Sequence, residues 1–159
     1  MNNMTNELAL SRRQMMGGIT ATALLLAAGL TPLRASQAAD TATEGLLSNI
    51  IKGRTVNEGR ISLDVPEIAE NGNTVPVAFE IDSPMTDDDY VQAVHVMADG
   101  NPAPEVASFS FTPMNGLAAA SIRIRLAKTQ NVVVLAEMND GSVYMAKSEV
   151  KVTIGGCGG

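Results

Sequence analysis

The chain has 159 residues, 45% of them apolar and only 3% aromatic, with one cysteine, one histidine and no tryptophan. A lone cysteine excludes an internal disulfide, and beside a lone histidine it excludes four-thiolate zinc sites and sites of paired cysteines and histidines. A net charge of −6 excludes the basic surface that nucleic-acid binding requires, and so few aromatic rings exclude a base-stacking platform.

In chain order, Met1 to Ala39 reads as an export signal that stands apart from the fold. Ser11-Arg12-Arg13-Gln14-Met15-Met16 precedes an apolar run from Gly17 to Leu30, and Ser36, Ala38 and Ala39 offer a signal-peptidase cut after Ala38 or Ala39. Paired arginines before a modest apolar run form the twin-arginine pattern, read by a translocase that carries folded cargo. The run is about 14 residues, interrupted by Gly17, Gly18 and Gly29, and a membrane-spanning helix needs ~20. The expectation is therefore a periplasmic protein with no membrane anchor. Three of the eleven basic residues and one of the seventeen acidic ones lie in the signal, so the remaining chain carries 8 against 16, a net charge of −8.

Residues 40–154 form the expected domain. Between Thr41 and Arg54 the spacing of Leu46, Leu47, Ile50 and Ile51 predicts a short amphipathic helix, able to cover the domain or a partner subunit. From Ile61 the period becomes two. Strands are predicted at Arg60–Val65, Val75–Asp82, Val91–Ala98, Glu105–Thr112, Ala118–Leu126, Val132–Met138 and Ser142–Ile154. Alternation is clearest in Ser121-Ile122-Arg123-Ile124-Arg125-Leu126, and Asn139-Asp140-Gly141 is a hairpin signal. Seven short strands at such spacing predict an all-β fold, an immunoglobulin-like antiparallel β-sandwich with one short N-terminal helix.

Scattered chemistry within the domain reads as structural. Asp87-Asp88-Asp89 lacks the spacing of a calcium loop and is expected as a solvated turn. His95 has no ligand partner in the sequence and is expected to be buried or at an interface. Met85, Met97, Met114, Met138 and Met145 are too scattered for a copper site and are expected as filling. Arg123 and Arg125 form an outward basic stripe that suits either solubility or an acidic partner face.

Chemistry concentrates in Gly155-Gly156-Cys157-Gly158-Gly159. Glycine lacks a Cβ and visits both signs of φ, so residues 155–159 are expected to form a flexible arm. With ~3.3–3.6 Å per extended residue, the cysteine reaches about 10 Å beyond Ile154. A prenylation box needs three residues after the cysteine, and two follow. A metal site lacks partner ligands, and no His, Lys or Arg stands in the arm to activate a nucleophile. The thiol suits the bearing of cargo better than catalysis, and an intermolecular disulfide remains the alternative.

The stretch Val150-Lys151-Val152-Thr153-Ile154-Gly155-Gly156-Cys157-Gly158-Gly159 resembles the C-terminus of the SoxY family, the sulfur carriers of thiosulfate oxidation. Pro76-Val77-Ala78-Phe79-Glu80, Ser83-Pro84-Met85-Thr86, Asn101-Pro102-Ala103-Pro104 and Ser121-Ile122-Arg123-Ile124-Arg125 share in the resemblance, as does the twin-arginine pattern. The resemblance implies a non-enzymatic carrier without cofactor or metal. Cys157 would be the covalent attachment point, with Gly155, Gly156, Gly158 and Gly159 as the swinging arm. It implies a heterodimer with a SoxZ-type β-sandwich subunit, exported already folded. It also implies service to a c-type haem enzyme that conjugates thiosulfate, a manganese-dependent hydrolase that releases sulfate, and a sulfane dehydrogenase. The other functional class is an exported immunoglobulin-like adhesion or assembly module that uses Cys157 for a structural intermolecular disulfide.

Overall fold

The structure, a computed structural model, describes residues 43–154. Residues 1–39, read above as an export signal, and residues 155–159, including Cys157, lie outside the described residues. A helix, α1, covers residues 43–51. Nine strands follow: β1 (Val56–Asn57), β2 (Ile61–Asp64), β3 (Ile68–Ala69), β4 (Val75–Ile81), β5 (Val91–Ala98), β6 (Glu105–Ser110), β7 (Ala118–Ile124), β8 (Gln130–Met138) and β9 (Val143–Val152). A 3-10 turn, Pro113–Asn115, separates β6 from β7. Each of the seven predicted strands is present, with its ends within two residues of the expected positions.

The strands form two sheets. The smaller runs β2-β4-β7, antiparallel throughout, and the larger runs β1-β9-β8-β5-β6 with β3 also pairing β9. Alternation is strict on β4, where Val75, Val77, Phe79 and Ile81 face inward against Ile124, Ile122, Ala120 and Ala118 of β7. From the larger sheet come Val94 and Val96 of β5, Val132, Val134 and Ala136 of β8, and Val150 of β9. Phe79 meets Phe109 edge to face, with ring centroids 5.4 Å apart, and so links the two sheets.

The structure adds to the expected pattern in three places. β1 and β3 are two-residue strands that pair with β9 in parallel, too short for any sequence period to reveal. The run Val132-Val133-Val134-Leu135-Ala136 is wholly buried and does not alternate, because both faces of β8 are covered. Its second cover is α1: Leu46, Leu47, Ile50 and Ile51 pack on Met97, Val133, Leu135 and Val143, on the outer face of the larger sheet. The helix is thus used by its own domain.

Turn chemistry fixes the connections. At the β8–β9 hairpin, Gly141 adopts φ 84° and donates to Met138 O at 3.1 Å, while Asp140 Oδ1 accepts from Ser142 N at 2.8 Å. Arg60 has φ 58°, a left-handed conformation costing a side-chain-bearing residue about 1 kcal/mol. Its guanidinium makes paired bonds of 3.0 and 2.9 Å to Asp89 and lies 5.5 Å from the Tyr144 ring centroid. Asp89 is therefore an ion-pair partner, unlike its exposed neighbours Asp87 and Asp88, which match the solvated turn expected from the sequence. The Arg60 hydrogen bond holds the Asp89 carboxyl below the usual range.

Gly100 is the tightest connection. A Cβ there would stand 2.9 Å from Gln130 Cβ and 2.8 Å from Lys128 Cε. The lysine can move; buried Gln130 cannot, because its side chain accepts from Gly100 N at 2.7 Å and donates to Asn101 Oδ1 at 2.9 Å. Gly100→Ala is expected to destabilise the domain by about 1–3 kcal/mol through overpacking, measurable by urea unfolding.

Candidate functional site

The chain approaches its glycine-flanked cysteine through β9, and the last described residues are held one by one. Lys151 N donates to Glu67 O at 2.9 Å, Val152 N to Thr129 Oγ1 at 2.9 Å and Thr153 N to Ala69 O at 3.1 Å. Thr153 Oγ1 donates to Glu70 O at 2.8 Å, and Ile154 O accepts from Gly72 N at 2.8 Å. Gly72 O in turn accepts from Leu126 N at 2.7 Å. Strand pairing therefore passes into loop bonding without a break, and Ile154 is held by its backbone although the residue is 67% exposed.

Charge is divided around this root. Arg125 and Lys128, both exposed, belong to the β7–β8 connection, while Glu67, Glu70 and Glu149 stand on the β3–β9 side. Neither Arg123, the other half of the outward stripe, nor Arg125 makes an ion pair among the described residues. Asp99 is occupied: it accepts from Asn131 Nδ2 at 2.7 Å and lies 3.6 Å from Lys147 Nζ.

A second polar cluster was not legible from spacing. His95 is part-buried, with Nδ1 2.9 Å from Ser108 Oγ and Nε2 3.2 Å from Glu137 Oε1. His95 is expected from the sequence to be buried or at an interface rather than a metal ligand; it is largely buried and bonds to both neighbouring strands, β6 through Ser108 and β8 through Glu137. Glu137 also binds Arg54, which caps the C-terminal turn of α1 through Ile51 O at 2.9 Å and reaches Gly141 O at 3.2 Å. The signal available was one histidine and one glutamate at outward positions of otherwise apolar strands. The cluster ties α1 to the sheet. Among the described residues no group of three or more His, Cys, Asp or Glu is placed to hold a metal ion, and no helix is long and apolar enough to cross a membrane.

Burial opposes the charge on Glu137, but hydrogen bonds from Arg54 and His95, and the Arg54 charge, outweigh it and hold its pKa below the usual carboxylate range. Since the folded pKa is the lower one, this stabilisation is complete above the unfolded carboxylate value of ~4.3 and disappears as pH falls through the folded value. Glu137→Gln is expected to cost about 1–2 kcal/mol at neutral pH, discounted for partial exposure. The variant should lose less stability than the parent on acidification below pH ~4. Urea unfolding of both proteins across that range measures both effects.

Comparison with known proteins places this geometry. The family model for "Sulfur oxidation protein SoxY" matches residues 47–157, a span that runs from α1 through Cys157. The structure of the sulfur carrier protein SoxY from Chlorobium limicola f thiosulfatophilum is 33% identical with a TM-score of 0.61, covering 72% of this chain and 98% of that one. A superoxide reductase (neelaredoxin) from Ignicoccus hospitalis is 13% identical with a TM-score of 0.55, covering 61% of this chain and 94% of that one. That second likeness is one of fold alone. No curated protein matches the chain. With a family match over most of its length and a two-sheet β-sandwich in common, the chain belongs to the SoxY family of sulfur oxidation proteins.

Proposed function

We propose that the protein is a covalent sulfur carrier of thiosulfate oxidation, exported by the twin-arginine route to the periplasm, with Cys157 as the attachment point. The observation that carries the reading is the family match, which extends along β9 and past Ile154 to Cys157. The bonded root supports it from the side of physics. A tether is useful when one end is fixed, because a fixed end converts free diffusion of an intermediate into a high local concentration near the next catalyst. Gly155, Gly156, Gly158 and Gly159 act as joints on either side of the thiol.

In this reading the carrier catalyses nothing and is a substrate for other proteins. A c-type haem enzyme withdraws two electrons as the Cys157 thiolate and thiosulfate join through a new S–S bond, leaving a thiosulfonate on the protein. A manganese-dependent hydrolase adds water and removes the terminal sulfone as sulfate with two protons, leaving a persulfide on Cys157. A sulfane dehydrogenase oxidises that remaining sulfur, and hydrolysis restores the carrier. A SoxZ-type β-sandwich subunit accompanies the protein as its heterodimeric partner. The carrier itself needs no cofactor.

Intact mass of the protein isolated without reductant from cells oxidising thiosulfate tests the reading. Thiosulfonate and persulfide adducts that disappear on mild reduction, and are absent from a Cys157→Ser variant, are the expected result. A free thiol alone, or only a disulfide-linked dimer, overturns the carrier reading in favour of an assembly module. The arm itself is tested by Gly155→Pro with Gly156→Pro. Fixing φ at both joints is expected to leave unfolding unchanged and slow cargo transfer in a reconstituted system on the order of 10²-fold, as misorientation by an ångström does elsewhere.

A further inference from the structure

We propose that His95 is a proton-driven relay at the free edge of the larger sheet: a proton taken up at Nδ1 turns the Ser108 hydroxyl from the imidazole to Glu105. The Glu105 side chain, at the start of β6, is thereby tied to the sheet when the ring is charged and released when it is neutral. What Cys157 carries has no part in it.

The donors and acceptors fix which nitrogen titrates. Nε2 lies 3.2 Å from Glu137 Oε1, and an ionised carboxylate only accepts, so Nε2 carries a proton in both states of the ring. Burial opposes the charge on Glu137, yet bonds from Arg54 and His95 keep its pKa below the usual carboxylate range. The neutral ring therefore has a bare Nδ1, which faces Ser108 Oγ at 2.9 Å. Ser108 Oγ also lies 3.1 Å from Glu105 Oε1, so one hydroxyl proton stands between two acceptors. Nδ1 belongs to a side chain only 17% exposed and has no other partner among the described residues, whereas exposed Glu105 can turn to water. While the ring is neutral, the hydroxyl donates to Nδ1. Once Nδ1 is protonated it donates to Oγ instead, and the hydroxyl is left to donate to Glu105. Only the charged ring completes a chain from Glu137 through His95 and Ser108 to Glu105 in which every contact has one donor and one acceptor, and its bonds to ionised groups are the stronger kind.

The place in the fold gives this exchange its effect. β6 ends the larger sheet, with β5 as its one strand neighbour among the described residues. The ladder slips at the start of β6: Val96 is opposite Ala107, but Met97 is opposite Glu105. A bulge of this kind interrupts ladder bonding and re-aims side chains, so the Glu105 side chain is a tie where the ladder is interrupted. At the other end of the chain of bonds, Glu137 binds Arg54, which caps α1. The charged state thus links β6, β5, β8 and the end of α1. The remaining charges on the elements packed here stay out of the chain. Lys147 of β9 lies 3.6 Å from Asp99, and exposed Glu44 and Lys52, in the first turn of α1 and just past its last, make no ion pair among the described residues. Val143 and Met145, on the same face of β9, are apolar.

The chain carries one histidine, so its ring nitrogens can be followed by NMR without ambiguity. They are recorded from about pH 8 to about pH 5.5, above the ordinary carboxylate value of ~4.3, together with the carbon shift of the Glu105 carboxylate. The expected neutral ring is protonated on Nε2 alone. On acidification Nδ1 gains the proton, and the Glu105 shift moves with the same midpoint. In Ser108→Ala the ring is expected to titrate still, while the Glu105 response falls at least about two-fold, because only attraction through solvent is left. Ser108 is exposed, so the variant leaves the core intact. A proton on Nδ1 of the neutral ring, a Glu105 shift that does not follow the ring, or an equally large response in Ser108→Ala would overturn the relay. None of these readings depends on Cys157 or its adducts.

Discussion

β9 is bonded along both of its edges, and the C-terminal pole of the domain depends on that. On one side it carries the long antiparallel ladder with β8; on the other, two short parallel strands, β1 near its start and β3 near its end. An edge strand normally leaves a row of unpaired N–H and C=O groups that solvent or another chain must satisfy. Here Thr129, Ala69, Glu70 and Gly72 continue the pairing to Ile154. These bonds fix the backbone as far as Ile154.

The larger sheet does two jobs at once. Its inner face builds the sandwich with Phe79, Val77 and Ile81, and its outer face builds a second apolar cluster under α1. The polar margin of that second cluster is Arg54, Glu137 and His95, in which one carboxylate serves a helix cap and an imidazole together. Among the described residues no buried side-chain nitrogen or oxygen lacks a hydrogen-bond partner. That satisfaction is what permits charged groups so close to an apolar interior.

The strands were legible because most of them bury one face only, so the period of two survives in β4 and β7. β8 was legible by composition alone, since its buried run is apolar on both sides. What stayed hidden has a common physical cause. The parallel pairing of β1 and β3, the Arg60–Asp89 pair and the Arg54–Glu137–His95 cluster all join residues far apart in the chain. Local periodicity carries no record of such contacts. At the C-terminal root the sequence supplied the glycines and the thiol, while the bonds that anchor Ile154 are made by backbone groups, to which the sequence is nearly silent. The division of charge there was half visible: Arg123 and Arg125 stood out as a stripe, while exposed Lys128 in the same connection did not.

The pairing of β1 with β9, Val56 opposite Val143, also sets when the domain can form. The first strand and the last share a ladder, and the β8 ladder to β9 is among the most extensive in the fold. Contacts of such sequence separation incur their loop-closure entropy before they return any stabilisation. Neither the parallel pairs nor the closed apolar interior is complete until β9 has left the ribosome. Folding therefore waits for β9, and the residues that complete the domain are the same ones that lead into the cysteine. A nascent chain interrupted before β9 would lack both Cys157 and the strand that closes the domain, so a folded domain is one whose synthesis has gone on into the last strand.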